Sequence, residues 1–326
     1  MRGRVSHLRC PLCHSPVPFD LVQRGYGRSM KIAVTGSTGL IGTALLPALR
    51  ADGHDVVRVV RHDPQPADVV WDPAKGTIDA AALNGVEGVI HLAGAGIGDH
   101  RWTDVYKREV LESRTLGTQL IATSIAALDH QPSVLVSASA IGFYGDRGDE
   151  LLDESSAAGT GFLAEVCQQW EASTAAASAA GIRVATIRTG IVLTPKGGAL
   201  KKLLPLFRFG LGGRFGSGRQ WQSWISIDDE IGAIRYLLTH PVGGAVNLTA
   251  PNPVTNKEFS QTLARVLHRP SFLPVPSFGP KLLLGSEAAD GLLFDGQRVL
   301  PRVLSEAGYD FTQPQLEGAL SALLHK

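Results

Sequence analysis

Lys31-Ile32-Ala33-Val34-Thr35-Gly36-Ser37-Thr38-Gly39-Leu40-Ile41-Gly42 carries the strongest structural signal in the chain. Its first five residues are a short apolar, β-branched run of the kind buried on both faces of a parallel sheet. An apolar helix follows through Leu45, Leu46 and Leu49, with a local kink expected at Pro47. Between them stands Gly36-x-x-Gly39-x-x-Gly42. The first glycine permits the tight turn, the second lets backbone N–H groups approach a pyrophosphate, and the third lets helix pack closely on strand. A strand before and a helix after the glycines are the context in which such a loop binds a dinucleotide. Gly36, Ser37, Thr38, Gly39, Leu40, Ile41 and Gly42 are therefore the first candidate cofactor contacts.

Working outward, strands are expected at residues 55–60, 88–92, 133–137 and 183–187, and helices at 102–128 and 162–180. Repeated βα units predict an α/β fold: a Rossmann-type doubly wound parallel sheet with ligands at the carboxyl ends of its strands. Residues 30–192 are assigned to the NAD(P)-binding domain. Residues 193–326 are assigned to a smaller, partly helical substrate and lid region, with a C-terminal unit from about 270. Residues 1–29 show neither period and read as an extension outside the fold, a disordered tail or sequence upstream of the true start. Within them Cys10, Cys13 and His14 match a haem-attachment pattern and half a zinc ribbon, yet no second ligand pair lies nearby, so no metal is expected.

The end of the second strand distinguishes the two nicotinamide dinucleotides. A carboxylate there would bond the ribose hydroxyls of NAD, but Val57-Arg58-Val59-Val60-Arg61-His62 ends on a basic tip. Arg61 would pair with a 2′-phosphate, which favours NADP(H) over NAD(H). The alternative is a solvated Arg61 with Asp63 serving the ribose.

Composition sets the limits. The 326 residues carry 31 Lys+Arg against 30 Asp+Glu, a formal charge of +1, and this excludes a polycationic nucleic-acid coat. No apolar stretch approaches the ~18 residues of a membrane span, and residues 1–29 hold no secretory core. Three cysteines make no disulfide framework, which points to a reducing, cytoplasmic setting. A small-molecule substrate and a homodimer are the expected partners, with no nucleic acid and no membrane.

With the glycine loop, His91-Leu92-Ala93-Gly94, Arg188-Thr189-Gly190 and Trp224-Ile225-Ser226-Ile227-Asp228-Asp229 in view, the chain resembles the extended short-chain dehydrogenases/reductases, the sugar-nucleotide epimerase and dehydratase group. Trp102, Lys107-Arg108-Glu109, Ser113-Arg114, Trp170-Glu171, Gly216-Ser217-Gly218-x-Gln220, Arg269-Pro270 and Val275-Pro276 resemble one atypical branch, the epimerase-like family with its own C-terminal domain. The resemblance covers Met30 to the C-terminus. It implies that Leu92, Ala93, Gly94, Glu109, Arg114 and Val192 face the cofactor. Arg114 stands where the group has an asparagine, and Ser139 matches the serine that binds the reacting hydroxyl.

Usual members work through Tyr-x-x-x-Lys, in which the ammonium lowers the phenol's pKa so that it passes a proton while hydride moves. The five tyrosines are Tyr26, Tyr106, Tyr144, Tyr236 and Tyr309, and four residues later stand Met30, Val110, Gly148, His240 and Gln313. The pair is absent. Aligning Glu171 puts Leu163 at the tyrosine position and Cys167 at the lysine position. Two substitutes are considered. Tyr144, placed near a cleft mouth by sequence order, is either a proton donor with Ser139 orienting the substrate, or a loop tyrosine packed on the sheet. Cys167 is either a nucleophile or a packing thiol beside the nicotinamide ribose, and the lack of a cation within a helical turn favours the second.

In the second half, residues 196–218 are glycine-rich and basic and lead into Gln220-Trp221-Gln222-Ser223-Trp224. They either cover the cleft, presenting Arg214, Arg219 and two indoles, or plug a domain interface. Asp228-Asp229 reads as a helix start rather than a metal site, and Thr255 with Glu258 as a capping box. The expected activity is that of an NADP-dependent oxidoreductase or epimerase-like enzyme on a small carbonyl or hydroxyl compound. The rival is a non-catalytic NADP(H)-binding sensor or scaffold.

Overall fold

The computed structural model describes residues 29–271, 274–276 and 278–325; Cys10, Cys13 and His14 lie outside them. In chain order the strands are β1 (Lys31–Thr35), β2 (Asp55–Val60), β3 (Val69–Asp72), β4 (Thr77–Ile78), β5 (Gly88–His91), β6 (Val134–Ala140) and β7 (Leu151–Leu152). They continue with β8 (Arg183–Thr189), β9 (Ile191–Leu193), β10 (Trp221–Gln222), β11 (Trp224–Ser226), β12 (Gly244–Leu248), β13 (Val254–Thr255) and β14 (Arg298–Val299). Eight of these form the central sheet in the order β12-β8-β6-β5-β1-β2-β3-β4. Every pairing in it is parallel except β3 with β4. The order reverses between β1 and β5, so the chain leaves the sheet in opposite directions there and opens a crevice at the strands' carboxyl ends. The expected doubly wound sheet is what the chain forms.

Ile32, Val34, Ile90, Val136 and Ile187 of the sheet pack with Leu45, Leu46 and Leu49 of the helix Leu40–Ala51 and with Ile234, Leu237 and Leu238 of the helix Ile227–Thr239. On the opposite face Ala33, Val89 and Leu135 meet Ile121, Ala122 and Ile125 of the helix Asp104–Ala126. Alternate residues of each strand thus serve two apolar layers, which is why these strands read as continuous apolar runs. Pro47 sits on the exposed side of the Leu40–Ala51 helix, which continues unbroken past it.

Two expectations about organisation are corrected. The single helix over 162–180 is two, Phe162–Ala172 and Ala175–Ala179. Between them Ser173 and Thr174 turn their hydroxyls back onto the carbonyls of Gln169 and Glu171, competing with the helix ladder. The division at residue 192 does not follow the sheet, because the chain returns to it through the helix Ile227–Thr239 and β12, which pairs with β8. The excursion between forms a second core around fully buried Trp224, with the helices Gly198–Arg208, Asn256–Val266 and Leu316–Leu324. Thr255 and Glu258 form the expected capping box. Asp229 accepts hydrogen bonds from the backbone of Thr312 and Gln313, so it anchors the C-terminal unit to the Ile227 helix.

Candidate functional site

The glycine loop closes the carboxyl end of β1 against that of β5. Gly36 has φ +65°, and a Cβ there would lie 2.7 Å from the Leu92 carbonyl oxygen and 2.9 Å from the Ala93 nitrogen. At Gly42 a Cβ would overlap the Gly36 carbonyl and stand 2.8 Å from Ser37 Cα. These positions admit no side chain because backbone passes against backbone. Gly39 is the N-cap of the Leu40–Ala51 helix, and no side chain caps that end. An uncapped helix end behind a bare loop fits the pyrophosphate of a dinucleotide. Thr35 ties the two strand ends together, since its Oγ1 accepts from the backbone N–H of Leu92 (3.0 Å) and Ala93 (3.2 Å).

That geometry fixes a tautomer. With two donors already on it, Thr35 Oγ1 gives its own proton to His91 Nδ1 at 2.8 Å, so His91 carries hydrogen on Nε2. Full burial pushes His91 down to about 4, and the ring is neutral at pH 7. His91 Nε2 and Oγ of Ser137, its register partner on β6, are both buried without a partner among the described residues.

At the end of β2 the two arginines part company. Arg58 is held by Asp68 through Nε (2.9 Å) and Nη2. The hydrogen bond to Asp68 raises its pKa against a smaller cost of burial. Arg61 is exposed and has no hydrogen bond or ion pair among the described residues. The basic tip is therefore one free guanidinium, not two. Asp63 is exposed with φ +50° in the turn beyond.

Farther along the crevice Arg114 lies beside Gly94, where an added Cβ would be 3.4 Å from its Cζ. Its guanidinium rests 5.0 Å above the Trp170 ring and donates to the Val110 carbonyl. Burial lowers its pKa, and no carboxylate pairs with it among the described residues. Glu109 is exposed on the same helix. Val192 is half-buried on β9, where the chain runs on to Gly197 and Gly198, which pack on Leu40 of the glycine loop. The elements carrying Gly36–Gly42, Leu92–Gly94, Arg114 and Val192 are thus brought to one end of the sheet.

Sheet register aligns Ser139, Arg188 and Asn247 across β6, β8 and β12. Glu171 closes the row with a fork of two 2.8 Å bonds from Arg188 Nε and Nη2, and Ser139 Oγ donates to the same carboxylate at 2.7 Å. Arg188 Nη1 donates to the Tyr144 hydroxyl (3.1 Å), which donates to Asn247 Oδ1 (2.7 Å). Tyr144 is fully buried with Ile141, Leu152 and Val299, and burial raises its pKa. It is not at a cleft mouth, which corrects the placement taken from sequence order. The short turn Ile141–Tyr144 after β6 folds the ring inward.

Cys167 is buried, and burial, with the Glu171 charge second, pushes the thiol up to about 11. A Cβ added at Gly142 would stand 3.8 Å from its Sγ, an ordinary packing contact, which suits a packing role. Leu163 stands one helical turn before it, against Gly142 on one side and Gly291 on the other. Trp221 bonds Asp149 under Arg298 while Trp224 fills the second core, so the two indoles serve different purposes.

Several polar side chains escaped the sequence reading: His91 as a neutral buried ring, the Glu171–Arg188 fork, Asn247, and Glu230. Glu230 is fully buried on the Ile227 helix, takes a 3.0 Å bond from Thr189, and is pushed by burial to about 8. Trp170-Glu171 and Arg188-Thr189-Gly190 were visible as motifs, but only the docking of the Phe162–Ala172 helix beside the paired β6 and β8 makes them partners.

The NAD dependent epimerase/dehydratase family model matches residues 32–249, and a domain of unknown function, DUF1731, matches residues 275–323. The chain belongs to the NAD dependent epimerase/dehydratase family. It is 43% identical over 291 residues to the epimerase family protein MT2273 of Mycobacterium tuberculosis, covering 89% of this chain and 96% of that one. It is 36% identical over 299 residues to human epimerase family protein SDR39U1, covering 90% and 100%. The crystal structure of human SDR39U1 (isoform 2) with NADPH superposes with a TM-score of 0.83 at 35% identity, over 91% of this chain and 99% of that one. A nucleoside-diphosphate sugar epimerase from Corynebacterium glutamicum gives 0.75 at 38% identity, over 91% of this chain and 58% of that one. Both resemblances drawn from the motifs, to the extended group and to the branch with its own C-terminal domain, agree with these matches. Among the described residues no helix is long and apolar enough to cross a membrane.

Proposed function

We propose that the chain is an NADP(H)-dependent oxidoreductase or epimerase-like enzyme acting on a small carbonyl or hydroxyl compound. The observation that carries the cofactor half is the bare loop at Gly36, Gly39 and Gly42 in front of an uncapped helix, with Arg61 unpaired beyond β2. The human relative solved with NADPH supports the same cofactor. The backbone of Gly36–Ile41 would hold the pyrophosphate and Arg61 the 2′-phosphate. Leu92, Ala93, Gly94 and Val192 would line the path of the dinucleotide, and Glu109 and Arg114 would face it from the Asp104 helix. The bound dinucleotide would supply a hydride, and the protein would bind, orient and keep water away.

Ser139 would orient the substrate oxygen, and the Glu171–Arg188 fork would hold Ser139 in place. A binding-only sensor is the second reading, favoured by the substitution of Leu163 and Cys167 for the proton-transfer pair. Fluorescence titration with NADPH and NADH, followed by NADPH oxidation across aldehydes, ketones and quinones, tests both. Selective NADPH binding with turnover supports the enzyme, and tight binding with no turnover supports the sensor. No binding of either dinucleotide overturns both.

A further inference from the structure

We propose that the helix Gly198–Arg208 and the turn after it dock on the surface of an anionic phospholipid bilayer. The two sides of this helix have different fates. Leu200, Leu204 and Phe207, spaced for one side, are buried in the second core. Lys201, Lys202, Leu206, Arg208 and Phe209 fall away from that side and are exposed. The helix then stops on a glycine. Gly210, at φ +73°, gives its N–H to the Phe207 carbonyl at 3.0 Å, and Leu211 gives its own to the Leu206 carbonyl at 2.8 Å. This closing turn sets Leu211 beside Leu206, within one turn of Phe209. Leu206, Phe209 and Leu211 are 43%, 80% and 58% exposed, so the turn satisfies the helix end without covering its apolar side chains.

The charge around this group selects the occupant. Lys201, Lys202, Arg208 and Arg269 are exposed, and none has a carboxylate partner among the described residues. Arg269 belongs to the rim because its Nε donates to the Arg208 carbonyl at 2.9 Å. Arg147, Arg235 and Arg302, elsewhere on the surface, are each ion-paired. Between residues 172 and 227 the chain holds no Asp or Glu. Exposed apolar side chains flanked by unpaired cations match the boundary of an anionic bilayer, where the apolar groups enter the acyl region and the cations meet phosphates. A second copy of this chain fits poorly, because in a two-fold pairing the patch meets itself and like charges face each other. A nucleic acid would use the cations and leave Leu206 and Leu211 in water. Surface docking needs no spanning segment, so it replaces the expectation of no membrane partner with a peripheral one. Gly197 and Gly198, where the helix begins, pack on Leu40 of the glycine loop, which puts the docked face beside the cofactor crevice.

The test is sedimentation of the full chain with vesicles of phosphatidylcholine alone and of equimolar phosphatidylcholine and phosphatidylglycerol. Binding to the anionic vesicles and little to the neutral ones is expected; no binding to the anionic vesicles, or equal binding to both, overturns the proposal. Because Arg2, Arg4, Arg9, Arg24 and Arg28 precede the described residues, variants locate the contact. Phe209→Ser is expected to weaken binding about tenfold. Lys201→Gln combined with Arg208→Gln is expected to weaken it about 25-fold, from roughly fivefold per charge. Unchanged affinity in either places the contact elsewhere and overturns the proposal. Arg235→Gln, at the amino end of the sheet, is expected to bind as the parent does; a loss equal to that of one patch charge would mean a diffuse field rather than a docked face. Full competition by polyglutamate with no effect of Phe209→Ser would assign the cations to an acidic polypeptide instead. A dimer in sedimentation equilibrium without lipid that Phe209→Ser dissociates would assign the face to a second copy. Circular dichroism checks the fold of each variant, and Leu211→Ser replaces Phe209→Ser if that one unfolds. None of these outcomes bears on the NADP(H) reading.

Discussion

Replacing Arg61 by Gln should separate NADPH from NADH. The side chain is exposed and unpaired among the described residues, so its loss disturbs no packing or ion pair there. A hydrogen bond to a charged group is worth ~1.5–3 kcal/mol, which at ~1.4 kcal/mol per decade is roughly 10- to 150-fold in Kd. Screening over about 8 Å at physiological salt acts fully on an exposed arginine, so the lower end, about tenfold, is expected there and more at low salt. Arg58 offers no substitute. It is tied to Asp68, whose side chain is only 5% exposed, and freeing it would bury an unpaired carboxylate. NADH has no 2′-phosphate and should bind Arg61→Gln as it binds the parent. The assay is titration of both dinucleotides at two salt concentrations, followed by nicotinamide fluorescence. Equal weakening of both, or no weakening of NADPH, would refute the assignment of Arg61 and return Asp63 to consideration.

Gly42→Ala would force backbone apart, because its Cβ meets the Gly36 carbonyl and Ser37 Cα. A stability loss of ~1–3 kcal/mol with abolished NADPH binding is expected by calorimetry and titration, and retained affinity would show that the loop is not the cradle. Glu171→Gln leaves the Arg188 guanidinium, 6% exposed, without its counter-charge. About 3–5 kcal/mol of unfolding free energy should be lost in urea denaturation, and a loss below ~1 kcal/mol would mean the fork contributes little. Glu230, raised to about 8, makes stability depend on pH with a definite sign. Between its unfolded value near ~4.3 and the folded one the native state holds the extra proton, so stability falls as pH rises, with a limiting slope of ~1.4 kcal/mol per unit. Glu230→Gln should therefore gain on the parent from pH 5 to 8 and level off above; a constant difference would show that Glu230 does not titrate in that window.

Much of the fold was legible because its signals are local. The apolar runs of β1, β2, β5, β6 and β8, the glycine spacing and the capping box each act within a few residues, where sterics and hydrogen bonding leave little choice. The missed pieces depend on distance in sequence. β12 looks ordinary until it lies beside β8, and the helix after Phe162 breaks where two hydroxyls reach back to carbonyls.

Local signals in the chain suffice for a dinucleotide crevice built around Gly36, Gly39 and Gly42, and they show that Tyr-x-x-x-Lys is missing from it. Tertiary structure alone decided what became of the polar groups. It gave Arg58 to Asp68 and left Arg61 free, drew Tyr144 into the interior, and joined Ser139, Glu171, Arg188 and Asn247 into one row. The physical reason is that a buried polar atom must find a partner, and the partner is chosen by strand register and helix docking rather than by neighbours in the chain.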